Sequence, residues 1–199
     1  MKQILIVFLW MLSLRGLAQE THVIEPSILE ITYNVTHGKD KDIYALRCGK
    51  NVSQYFSKAS YRNDSLRASP DINISTIPLY ESLEAIKNRN DPSKQLPSSP
   101  GHNDYMYKNL SAGKVSVYTS VFGSKYVIEE ETPTMDWEIY EDSVQTIIGY
   151  ECHKAKTKFR GREWTVWYAA DIPVSLGPCK LNGLPGLILR AECKDYIII

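Results

Sequence analysis

Cysteines, histidines and paired carboxylates are the side chains here that could do chemistry. Cys48, Cys152, Cys179 and Cys193 are even in number, so an oxidising compartment would permit disulfides, with three possible pairings. Cys48, Cys152 and Cys193 fall on apolar strand faces and Cys179 in a Pro/Gly-rich stretch. Cys152 with Cys193 is the expected bridge, and free buried thiols are the alternative. Without a Cys-x-x-Cys there is little to support thioredoxin-like exchange. His22, His37, His102 and His153 are scattered, and Cys152 and His153, adjacent on a strand, point to opposite faces. No metal site is expected from such spacing, and Asp40 and Asp42 do not make a calcium loop. Nucleophile elbow, zinc-protease helix and phosphate-cradling loop are all missing from the sequence. Asp136, Glu138, Glu141 and Asp142 could supply the two carboxylates of a glycosidase, or simply form a solvated face. No catalytic residue and no cofactor are assigned.

Aromatic side chains give a second kind of site. Trp164, Val166 and Tyr168 share one face of a strand and Trp167 takes the other. That pattern fits a central strand packed on both sides, or a groove for an apolar ligand such as a lipid, with Trp164 and Tyr168 lining it.

The elements that must position these residues are mostly strands. Leu29, Ile31, Tyr33 and Val35 alternate, Gly38 to Lys41 turns the chain, and Tyr44, Leu46 and Cys48 return antiparallel. Residues 51–60 suit a short strand or a helix start. Thr76 and Pro78 open a helix whose Leu79, Leu83 and Ile86 form one apolar stripe. A Pro- and Gly-rich loop follows over 91–104. Beyond it come 105–110, 114–121, 125–130, 137–140, 144–159 and 163–170, strands separated by turn signals. The expected fold is α+β, mainly β: a curved, half-barrel-like antiparallel meander covered by the one helix.

Lys2, the apolar run Ile4 to Leu14 and the small residues Gly16 and Ala18 form a secretory signal peptide, residues 1–18. Residues 19–199 form a single domain, with no stretch long and apolar enough to span a membrane. Export to the periplasm or the exterior is expected. Lys+Arg and Asp+Glu are 23 each; loss of Lys2 and Arg15 with the leader leaves the mature chain at about −2. That balance argues against nucleic-acid binding, which needs a basic surface.

The hexapeptide Gly183-Leu184-Pro185-Gly186-Leu187-Ile188 reads as a type II turn, with Pro185 presetting φ and Gly186 accepting a positive φ. It leads into a strand in which Leu187, Leu189, Ala191 and Cys193 alternate with Ile188, Arg190, Glu192 and Lys194. Upstream stand Gly149 to Ala155, Phe159 to Arg162, Trp167-Tyr168, Asp171 to Pro173 and Gly177-Pro178. In order and spacing these resemble the GLPGLI family of exported bacterial proteins, whose activity is uncharacterised. Aromatics favoured by that family at the positions of Cys179 and Leu181 are missing. Relatives continue past Ile199, so the resemblance implies a C-terminal truncation that would leave residues 189–199 as an unpaired apolar edge. The architecture is also similar to half-barrel lipoprotein carriers, which hold acyl chains beneath a helix.

A non-catalytic envelope protein follows as the leading expectation. It would bind an apolar ligand or a protein partner, with Trp164, Tyr168 and residues 183–188 at the site. An accessory subunit of an outer-membrane transport assembly is the alternative. A secreted hydrolase using Asp171, Glu151 and His153 is third, since convergent polar groups are hard to find.

Overall fold

A computed structural model of the chain describes residues 25–69, 83, 86–87 and 104–199. The expected leader and Leu79 lie outside the described residues. Among the described residues the protein is mainly β: eleven strands in one open antiparallel sheet. In chain order they are β1 (Leu29–His37), β2 (Asp40–Cys48), β3 (Val52–Ser57), β4 (Tyr105–Asn109), β5 (Lys114–Val121), β6 (Ser124–Glu131), β7 (Glu138–Ile147), β8 (Tyr150–Phe159), β9 (Arg162–Ala169), β10 (Leu187–Glu192) and β11 (Tyr196–Ile198). A helix, α1 (Lys58–Ala68), follows β3 directly. Residues 51–60 are thus strand and then helix, and the hydroxyl of Ser57 caps the change by accepting from the Ser60 N–H at 3.3 Å.

The strand order is β6-β5-β4-β3-β2-β1-β11-β10-β9-β8-β7. Two meanders therefore run outward from the middle, and the last strand joins them. Val35, Thr36 and His37 of β1 pair with Ile198, Ile197 and Tyr196, while Ala191 and Glu192 of β10 pair with Ile198 and Ile197. The expected unpaired edge at 189–199 is the centre of the sheet. With eleven antiparallel strands, the edge strands β6 and β7 run in the same sense. Pairing them would take a crossover of a dozen or more residues; six, 132–137, connect them. The sheet therefore stays open.

Three details depart from the sequence reading. The strand expected over 144–159 is broken at Ile148-Gly149, where Ile148 takes φ 44° and Gly149 φ 88°, a two-residue hairpin turn of the primed type. A β-branched residue is an unusual occupant of that conformation, so propensity hid the turn. The alternation after Leu187 is interrupted by an irregularity between Ile188 and Arg190, which leaves Leu187, Ile188 and Leu189 all buried. Third, the stripe expected to cover the sheet does not: Leu83 and Ile86 are helical but 56% and 69% exposed.

Cover comes instead from elsewhere in the chain. On one face, here the inner, Tyr33, Leu46, Tyr55, Trp164, Val166 and Ile198 share a core with Leu176, Leu181 and Leu184 of the segment between β9 and β10. Burying a leucine contributes about 1.5–3 kcal/mol, so residues 170–186 supply much of the lid. On the outer face α1 sits over β2 and β3, burying Ala45, Phe56 and Ala59, with the Tyr61 and Phe56 rings 4.9 Å apart.

Candidate functional site

Strand register assembles a row of polar side chains across the outer face. Glu30 pairs with Arg47, Arg47 with Gln54, Gln54 with Tyr107, Tyr107 with Ser116 and Ser116 with Glu129. Opposed residues share a face, so the five pairings make one strip over β1 to β6. Where α1 rises beside it, Arg47, Gln54, Tyr61, Tyr107, Glu25 and Ser27 line a cleft of about 450 Å³.

Each lining group is held by a neighbour. Arg47 donates from Nε to Glu30 at 2.7 Å, and its guanidinium lies 4.8 Å from the Phe56 ring centre and 5.0 Å from that of Tyr61. The hydrogen bond to Glu30 holds its pKa above the ordinary guanidinium value. Glu25 accepts from the backbone N–H groups of Asn51 and Val52, which keep its carboxyl below the usual range. Gln54 donates from its amide to the Tyr107 hydroxyl at 2.8 Å, leaving the Tyr107 proton and the Gln54 carbonyl oxygen for a ligand. The Tyr107 ring meets Tyr118 edge-on at 5.4 Å. Guanidinium, amide, phenol and carboxylate thus alternate donors and acceptors between two aromatic rings. These residues come from β2, β3, β4, α1 and the stretch before β1, so no local motif contains them. The one sequence signal was Tyr105 and Tyr107 flanking Met106 on the face opposite the core.

The residues expected to form a site lie elsewhere. Trp164 and Tyr168 are 9% and 5% exposed and belong to the core. Leu184, Leu187 and Ile188 are buried with them, while Gly183 and Pro185 face solvent. Gly186 does not take a positive φ; Gly183 does, at 92°, so the hexapeptide is not a type II turn about Pro185 and Gly186. Clamps on this segment are numerous. Tyr33 donates from its hydroxyl to the Ile188 carbonyl at 2.7 Å, Trp137 from Nε1 to that of Asn182 at 2.9 Å, and Ser175 to that of Leu184 at 2.6 Å. The Lys180 ammonium meets the Glu130 carboxylate, which Arg160 also contacts at 2.6 Å.

All four cysteines are free. Glu192, just before Cys193, pairs with Thr165, and Thr165 with Lys156, four places along β8 from Cys152. At roughly 3.4 Å per residue that offset is far beyond disulfide reach, so the Cys152–Cys193 bridge is not formed. His153 Nε2 lies 3.9 Å from Glu151 Oε1, and Asp171 is exposed beyond β9. Among the described residues no three His, Cys, Asp or Glu side chains gather as a metal site, and no helix is long and apolar enough to cross a membrane.

Lys108 is a buried group that sequence reasoning missed. Only 2% exposed, it donates from Nζ to the Leu181 carbonyl at 3.1 Å, and burial pushes its pKa down to about 8. Below pH 8 both folded and unfolded chains carry the ammonium, and folding bears the whole cost of desolvating it. Above pH 8 the folded amine loses its proton first, while the unfolded one keeps its own to about 10.5, so stability attributable to this group rises through that window. Lys108→Met should therefore be more stable than wild type by about 2 kcal/mol at pH 7, after the cost of an unpaired Leu181 carbonyl. Urea titrations across pH 7 to 10 should show that advantage shrinking; a constant difference would contradict the assignment.

The fold is similar to that of PNGF-II, solved in space groups C2 and P21, with TM-scores of 0.53 and 0.51 at 16% and 17% identity. Each match covers 85% of this chain and 26% of that one, so the chain spans about a quarter of PNGF-II. At such identity the likeness concerns the fold alone. No curated protein sequence matches the chain. Residues 157–190, from the end of β8 through the inner segment into β10, match the model of a family described as "Protein of unknown function (Porph_ging)".

Proposed function

We propose that the chain is an exported, non-catalytic binding module of the GLPGLI type, which holds an extended segment of a protein partner in the outer-face cleft. One observation carries this reading: the cleft beside α1 is lined by alternating donors and acceptors from Arg47, Gln54 and Tyr107 between aromatic rings. An extended peptide presents alternating N–H and C=O groups to such a surface. The leader-like N-terminus supports export to the periplasm or the exterior. Trp164 and Tyr168 are buried, which favours the protein-partner form of this reading over the apolar-ligand form.

A photo-crosslinking residue at Tyr107 of the mature protein, expressed in its own envelope, tests this. A single discrete protein adduct is expected, with its yield lowered about fivefold or more by Arg47→Ala or Gln54→Ala, as hot-spot truncation does. A co-purifying acyl-chain mass in native mass spectrometry, or adducts indifferent to both substitutions, would sink the proposal.

A further inference from the structure

Among the described residues β6 is an edge with unpaired backbone, and its side chains are unusually exposed for their type. Tyr126, Val127 and Ile128 are each just over half exposed, as β6 lies at the rim on both faces, and Tyr118 beside Val127 is 48% exposed. Lys125 and Glu129 are also exposed, and among the described residues neither has an ion-pair partner. Natural edges are blunted by charged side chains, proline or bulges; the stretch 125–129 carries Lys125 and Glu129 as its charges, but no proline, and its register with β5 is unbroken.

Which backbone groups face outward follows from the hairpin. Phe122 (φ 49°) and Gly123 (φ 82°) make a two-residue primed turn, so the flanking pair Val121 and Ser124 exchanges hydrogen bonds. Alternation along the ladder then commits Ser124, Tyr126, Ile128 and Glu130 to β5, and leaves Lys125, Val127, Glu129 and Glu131 with N–H and C=O directed away from the sheet. An antiparallel partner must match outward residues to outward residues. If the partner is another β6 related by a two-fold axis, the axis passes through one residue of the strand, odd- or even-numbered. Centring on Tyr126 sets Lys125 against Val127, and centring on Ile128 sets Val127 against Glu129 and Tyr126 against Glu130, a charge against an apolar or aromatic side chain each time. Centring on Lys125 or Glu129 sets like charges against each other. Centring on Val127 sets Lys125 opposite Glu129 twice, Tyr126 opposite Ile128 twice, and Val127 opposite itself, each pair on a common face.

We infer that β6 is a self-complementary dimerisation edge, and that two copies of this chain form a continuous sheet about a two-fold axis through Val127. Roughly six backbone hydrogen bonds form across it, flanked by two Lys125–Glu129 ion pairs and the Tyr126/Ile128 contacts. Glu130 stays out of the interface because Arg160 and Lys180 hold it. The inference is independent of the cleft beside α1.

Light scattering on the full mature chain, between about 1 and 100 µM, measures the association. Wild type should be dimeric at the upper end. Lys125→Glu and Glu129→Lys should each weaken self-association at least tenfold, as opposed like charges do. Mixing these two variants, or combining both changes in one chain, should restore the dimer. Val127→Pro, which removes only an outward N–H, should give a folded monomer by circular dichroism. A monomeric wild type at 100 µM, or a dimer unaffected by Lys125→Glu, would overturn the inference.

Discussion

Gly186→Ala should destabilise the protein by about 3 kcal/mol or more, at or above the upper end of the usual cost of overpacking, because the neighbour it meets is fixed backbone. A Cβ on Gly186 would lie 2.2 Å from the Ala169 carbonyl oxygen and 2.9 Å from the Ala170 Cα. Both are backbone atoms at the end of β9, and Ala169 is paired with Leu187, so neither can yield without opening the β9–β10 ladder. Gly183→Ala acts differently. Its Cβ would meet nothing nearer than Trp137 Nε1 at 3.6 Å, and the cost is that of holding a non-glycine at φ 92°, about 1–3 kcal/mol. Chemical denaturation of both variants should rank them in that order. The reverse ranking would mean that close approach is not what requires the second glycine of the hexapeptide.

Ile198→Asp should lower stability by more than 4 kcal/mol, and removing residues 196–199 should leave no cooperative native sheet. Ile198 is 1% exposed and opposes both Val35 and Ala191, so a carboxylate there is buried between apolar neighbours without a counter-charge. Truncation removes the strand that joins the two meanders and leaves β1 and β10 each with an open ladder. Loss of the near-ultraviolet circular dichroism signal with much far-ultraviolet signal retained is the expected result. A truncated chain with a single sharp unfolding transition at the wild-type midpoint would refute the linking role of β11.

Local pattern carried the strands well. The alternations Leu29–Val35, Tyr44–Cys48 and Trp164–Tyr168 all proved to be strands, with their apolar positions buried or half-buried, because a half-buried strand writes its period directly into the chain. Two kinds of information were not local. Cover of the sheet by residues 170–186 depends on Leu176, Leu181 and Leu184, which have no regular spacing, whereas Leu79, Leu83 and Ile86 have ideal helical spacing, yet Leu83 and Ile86 stay exposed. The cleft is less legible still, since Arg47, Gln54 and Tyr107 become neighbours only through the register of three strands. Trp164 and Tyr168 drew attention for their chemistry, but a large ring is more often a core filler than a ligand wall.

Placing the first and last strands side by side has a consequence for how the chain reaches this state. Val35 and Ile198 are about 160 positions apart, whereas every other adjacent pair of strands except β3–β4 and β9–β10 is joined by a short turn. Each meander can zip up from its own hairpins within microseconds to milliseconds, but the bond between them waits for the final residues to be synthesised and, on our reading, exported. Until then β1 and β10 are temporary edges in a half-built molecule, open to pairing with other chains. Folding speed and susceptibility to aggregation should therefore be governed by the arrival of three residues, Tyr196 to Ile198, rather than by the ten strands that precede them.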